Sequence, residues 1–141
     1  MKKEDVCKNL SDYVSADFYM CACQKPVVRD AWQEYEPIVR ELNDALMNMP
    51  PLYAQENEGY KATVYAHYFG GATDIFVTEC SDGDAFGYVI LNGDYVNSEM
   101  GYISIEEITS IDVLNLDFYW EACPLAEALM QVDDEYFCDM Q

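Results

Sequence analysis

Residues 73–91 read TDIFVTECSDGDAFGYVIL, and this stretch decides the fold. Two runs rich in β-branched and aromatic residues, 73–80 and 85–91, flank Ser81-Asp82-Gly83-Asp84, a cluster of turn formers. Strand, turn and strand in that order predict an antiparallel hairpin. Asp82-Gly83-Asp84 superficially looks like a calcium loop, but it lacks the alternating ligands and the closing glutamate such a loop requires. The pattern reads as a turn.

Working outward, residues 60–69 (YKATVYAHYF) form another strand-like run, divided from 73–80 by Gly70-Gly71. On the other side, Asn92-Gly93 marks a second turn because both residues tolerate positive φ. Residues 101–105 predict a short strand, and Ser104 with Glu107 offers a capping box for one turn of helix. Leu114, Leu116, Phe118 and Trp120 alternate with Asn115, Asp117, Tyr119 and Glu121, the pattern of a half-buried strand. Pro124 opens a helix through about Val132, before an acidic tail, Asp133-Asp134-Glu135.

Upstream the period is helical. Val6, Leu10, Tyr13, Val14, Phe18 and Cys21 predict a helix over 3–22, stopped by Lys25-Pro26. Val28, Trp32, Tyr35, Val39, Leu42, Leu46 and Met49 form a second stripe that Pro37 interrupts. It is either a kinked helix or two helices, with Pro37 in the first turn of the second. Pro50-Pro51 ends it. The fold class is α+β: N-terminal helices packed on an antiparallel meander sheet, with a short C-terminal helix. Residues 1–141 make a single domain, 1–49 mainly helical and 50–141 mainly β with short helices.

A chain of 141 residues buries roughly 68% of its unfolded surface. Half its residues are hydrophobic, with twelve Tyr, six Phe and two Trp, a globular composition. No apolar run is long enough to span a bilayer. The opening Met1-Lys2-Lys3-Glu4-Asp5 lacks an apolar core, so it does not read as a signal peptide, and the expected location is the cytoplasm. The cysteines at 7, 21, 23, 80, 123 and 138 match no zinc spacing, there is no Cys-x-x-Cys, and His67 is the sole histidine. Reduced thiols, no metal and no cofactor are the expectation.

Charge is the most informative quantity. Net charge is −20. Residues 1–61 hold all seven basic residues (Lys2, Lys3, Lys8, Lys25, Arg29, Arg40, Lys61) against eleven acidic ones. Residues 62–141 hold sixteen Asp and Glu with no Lys or Arg. At ordinary composition such a gap should arise about once in ten thousand sequences. A chain of this kind repels nucleic acid and anionic membrane and attracts basic surfaces.

For catalysis the motifs are missing: no serine elbow, no Gly-rich phosphate loop, no paired-histidine metal motif. Cys80 or Cys123 paired with His67 is the one nucleophile arrangement to weigh, and no spacing supports it. The chain reads as a binder and not an enzyme. Sixteen charges match about 27 Å of duplex at one per 1.7 Å, inside the roughly 35–40 Å diameter of a domain this size. The acidic face for partner binding is assigned to Asp74, Glu79, Asp82, Asp84, Asp94, Glu99, Glu106, Glu107 and Asp117, on strands, turns and caps where they can be exposed.

From Pro50 onward the chain resembles a family of small domains of unknown function found on plasmids, integrative elements and phages. The resemblance rests on Pro50-Pro51-Leu52-Tyr53, Glu56, Phe76-Val77-Thr78-Glu79, Asp82-Gly83, Phe86-Gly87, Gly101-Tyr102-Ile103-Ser104, Glu106-Glu107, Asp117-Phe118-Tyr119 and Pro124-Leu125. It covers about 80 residues in order and leaves out the first 35. The absence of Lys and Arg after Lys61 departs from the family's pattern. The resemblance implies no activity; it implies a bacterial host cell and an accessory protein of mobile DNA, a setting that includes acidic anti-restriction and anti-CRISPR inhibitors. The resulting expectation is a non-enzymatic inhibitor that binds a basic nucleic-acid-binding surface of a host defence nuclease by DNA mimicry. The expected partner is a CRISPR-associated or other DNA-binding nuclease, with no direct contact to nucleic acid and none to membrane. The alternatives are an accessory protein binding another basic partner, or an enzyme with an unrecognised site.

Overall fold

A computed structural model describes residues 14–138. The expected α+β architecture is present: a five-stranded antiparallel sheet with helices before it and a short helix after it. Helices α1 (Val14–Tyr19), α2 (Lys25–Asp30) and α3 (Trp32–Leu46) lead into β1 (Thr63–Val64), β2 (Ala66–Gly70), β3 (Thr73–Ser81), β4 (Asp84–Ile90) and β5 (Glu99–Ser104). Then follow α4 (Ile105–Thr109), β6 (Asn115–Leu116), β7 (Cys123–Pro124) and α5 (Leu125–Val132). Strands β2 to β5 form the meander, β6 adds to the β2 edge, and β1 pairs separately with β7.

The hairpin read from residues 73–91 is the centre of this sheet. Ser81 pairs with Asp84, and Asp82 and Gly83 between them take φ of 49° and 89°. Positive φ at both central residues is the type I′ turn that matches strand twist, and glycine supplies it without a Cβ clash. Gly87 serves a different end, since a Cβ there would stand 1.9 Å from the Phe76 carbonyl oxygen.

Each sheet face carries its own core. Ala66, Tyr68, Ile75, Val77, Ala85 and Ile103 pack against Tyr19, Leu42 and Leu46 of the N-terminal helices. On the opposite face Phe76, Tyr88 and Ile90 pack against Leu125, Ala128 and Leu129 of α5 and against Phe137. The sheet is therefore a middle layer, which explains why its central strands read as nearly continuous apolar runs.

Several local expectations change. Lys25-Pro26 does not only end a helix: it begins α2, where a missing N–H falls among donors that lack partners anyway. The helix read over 3–22 is present from Val14 to Tyr19, and its earlier part lies outside the described residues. Two helices do replace the single stripe, but they break at Ala31 (φ −128°, ψ 40°), while Pro37 lies inside α3. The alternating stretch 114–121 keeps only Asn115–Leu116 as strand, because Asp117 caps a turn by accepting from the Tyr119 N–H at 2.9 Å. The acidic tail also proves anchored. Asp133 accepts from the N–H groups of Glu135 and Tyr136, and the chain turns back to bury Phe137 completely.

Among the described residues no helix is long and apolar enough to cross a membrane.

Candidate functional site

Strand β3 carries an extra residue, and that irregularity shapes the site. Val77 pairs with Gly87 and Glu79 pairs with Phe86, so two steps on β3 oppose one step on β4. This is a β-bulge at Thr78, whose hydroxyl donates to the Phe86 carbonyl. In a regular strand Glu79 would share a face with Val77, on the side of the N-terminal helices. The bulge turns it to the opposite face, in a row with Phe86 and Tyr102 across β3, β4 and β5.

The segment after Pro50 closes over that row. The Cys80 N–H donates to the Pro50 carbonyl and the Leu52 N–H to Ser81 Oγ, both at 3.0 Å. Gln55 donates to the carbonyls of Thr63 and Thr78, fixing the segment to β1 and to the bulge. Tyr53 takes φ 75°, a strained conformation for a bulky residue. Together Leu52, Tyr53, Glu56, Glu79, Phe86 and Tyr102 enclose a cavity of about 130 Å³. Glu79 is 2% exposed, and its Oε2 is buried without a hydrogen-bond partner. Tyr53 and Tyr102 stand at the mouth, 61% and 68% exposed. Hydrogen bonding to Tyr53, then burial, then the negative charge of Glu56 and Glu79 push the Tyr102 phenol above its ordinary pKa.

Carboxylates gather around this end of the sheet. Glu56 and Glu58 are exposed on the closing segment, and Asp82 and Asp84 on the hairpin. The Ile105 N–H donates to the Gly83 carbonyl at 3.0 Å, bringing the start of α4 against the same turn. Ser104 caps that helix through the Glu107 N–H, as the capping box predicts, and Glu106 and Glu107 are exposed in its first turn.

The remaining acidic residues are placed differently. Glu99 pairs with Val89 at the far end of β4 and β5. Asp94 lies beyond it in the 91–98 connection, whose Gly93 N–H reaches the Ala72 carbonyl in the β2–β3 turn. The nine assigned residues therefore do not form one face. Glu79, expected to be exposed, is buried, because the bulge turns it under the closing segment. Asp74 and Asp117 are partly buried and both engage His67: Nε2 lies 2.8 Å from Asp74 Oδ1 and Nδ1 lies 3.2 Å from Asp117 Oδ2. The imidazole stacks on Phe76 with centroids 4.7 Å apart and planes 7° apart, and Trp120 lies 5.0 Å away. Burial pulls the His67 pKa down, but the hydrogen bonds and charges of Asp117 and Asp74 outweigh it, and the net shift is upward. The hydrogen bond from His67 in turn lowers Asp117. This trio is a filled ion-pair clamp.

The cysteine–histidine pairing does not assemble. Cys80 packs with the core on the helix side, whereas His67 stands on the opposite sheet face with both ring nitrogens engaged. Burial, then the charge of Glu127, push the Cys123 thiol up to about 11, away from thiolate chemistry.

Comparison with family models, with curated proteins and with solved structures gives no match. The six residues lining the cavity come from three separate stretches, 52–56, 79–86 and 102, which the hairpin and the closing segment bring together. Sequence reading missed the cavity because neither the bulge nor the covering segment leaves a periodic signal. The available signal was Glu79 itself, a carboxylate within the buried run from Ile75 to Glu79.

Proposed function

We propose that the protein acts by binding, and that its acidic end occupies the basic nucleic-acid-binding surface of a nuclease in place of DNA. One observation carries the reading: exposed carboxylates lie on each of the segments that meet at this end of the sheet, Glu56 and Glu58 on the closing segment, Asp82 and Asp84 on the hairpin, and Glu106 and Glu107 at the start of α4. Six charges correspond to about 10 Å of duplex at one per 1.7 Å. Strands β3 to β5 span about the same distance, at roughly 4.8 Å per strand spacing. A count of six is thus of the order that duplex DNA carries over the width of three strands.

The surroundings support recognition by a protein. Tyr53 and Tyr102 are exposed aromatics at the centre of the acidic end, the residue type that most often anchors an interface. The resemblance to mobile-element proteins directs the choice of partner to a host defence nuclease, foremost an RNA-guided one, whose channel and DNA-reading arginines are cationic. Binding would be fast and steered by charge.

The test is displacement of target DNA from purified RNA-guided nucleases by the protein. The expected result is displacement near 50 mM salt that weakens steeply by about 200 mM, as DNA binding itself does. Displacement that ignores salt, or none from any DNA-binding nuclease tried, contradicts the proposal.

A further inference from the structure

We infer that the cavity beside Glu79 is a receptor for one guanidinium group, the head of an arginine side chain presented by the partner. The inference deepens the proposed function and rests on its reading of the partner as basic. Its own ground is the state of Glu79. A carboxylate that is 2% exposed with an unpartnered Oε2 is costly unless a cation meets it. Among the described residues no Lys or Arg forms an ion pair with it, and exposed Lys61, the nearest basic residue in sequence, makes none. The segment beyond residue 61 holds no Lys or Arg to serve.

The cavity's walls select the cation. It is far larger than the 10–15 Å³ that a single water needs, so a small planar group fits. Phe86 and Tyr102 stand edge to face with centroids 5.1 Å apart, offering aromatic surface beside the carboxylate. Guanidinium stacks on aromatic rings, donates in a fork to carboxylates and is weakly hydrated. An ammonium is strongly hydrated and loses more on entering so dry a floor. Glu56 at the rim supplies a second acceptor. A metal ion fits less well, because among the described residues no three His, Cys, Asp or Glu side chains are grouped to hold one.

The experiment follows backbone amide shifts of the whole chain during titration with Nα-acetyl-arginine amide, the matching lysine and citrulline amides, and calcium chloride. The expected result is saturable shifts at Glu79, Phe86 and Tyr102 with the arginine compound, weaker ones with lysine and none with uncharged citrulline. Glu79→Gln should weaken arginine binding about tenfold to a hundredfold, as loss of a charged hydrogen bond does. Glu56→Gln and Tyr102→Ala, at exposed positions that leave the fold intact, should weaken it less. Glu99→Gln at the far end should change nothing. Citrulline or lysine binding as well as arginine, calcium giving the shifts instead, or Glu79→Gln binding unimpaired would overturn the inference. The two readings fail separately. Arginine binding without nuclease binding would retain the cavity and reject the partner, whereas nuclease binding without arginine binding would do the reverse.

Discussion

Asp74 and Glu79 stand on one strand and face the same side of the sheet, yet their surroundings are opposite. Asp74 shares His67 with Asp117, so two carboxylates and one imidazole satisfy one another. Glu79 is more deeply buried and has an oxygen with no partner. A structural charge brings its own counter-ion from within the fold. A buried charge left incomplete lowers stability, and it is retained where a ligand completes it. The comparison separates a carboxylate paired within the fold from a buried one that the fold leaves without a partner.

Mutation should break the comparison in opposite directions. His67→Ala leaves Asp74 and Asp117 without their cation and should cost about 3 kcal/mol, read by urea unfolding. Glu79→Met replaces a buried, incompletely paired carboxylate by an apolar side chain of similar length. It should stabilise the protein by about 1–2 kcal/mol in the same assay while abolishing arginine binding. Two destabilising results would erase the distinction between the two sites.

pH sharpens it. The His67 pKa is raised in the folded state, so the clamp's stabilisation is fully present below the unfolded value of about 6.5. It is lost as pH rises through the folded pKa. The Asp117 pKa is lowered, so its share is present above the ordinary carboxylate value and lost as pH falls through the folded one. Imidazole resonances of His67 should therefore titrate with a midpoint above 6.5, and Asp74→Asn should lower that midpoint. The smallest effect belongs to Tyr102, whose phenol should ionise above its ordinary pKa and shift back downward in Glu79→Met, followed by ultraviolet absorbance.

Much of the fold was legible because it is encoded locally. Asp82-Gly83 turns where its φ preferences require, Ser104 caps α4, and Pro124 precedes α5. Turns closed by an aspartate side chain inside or after a patterned stretch were not legible. Phe137 is buried only because Asp133 reverses the chain, and the 114–121 alternation gives way to a turn at Asp117. The site divides likewise. Asp82, Asp84, Glu106 and Glu107 were readable as exposed turn and cap residues. The burial of Glu79 depends on one unpaired residue at Thr78, and the capture of Asp74 and Asp117 depends on a histidine between two strand partners.

The most direct measurement compares the two ends of the sheet in one assay. Affinity for an RNA-guided nuclease from which the protein displaces DNA is measured for Asp82→Asn, Asp84→Asn, Glu106→Gln and Glu107→Gln combined, and for Asp94→Asn with Glu99→Gln. The account predicts a loss of about a hundredfold or more for the first set, with a shallower salt dependence, and little change for the second. Equal losses from both ends, or none from either, would contradict it.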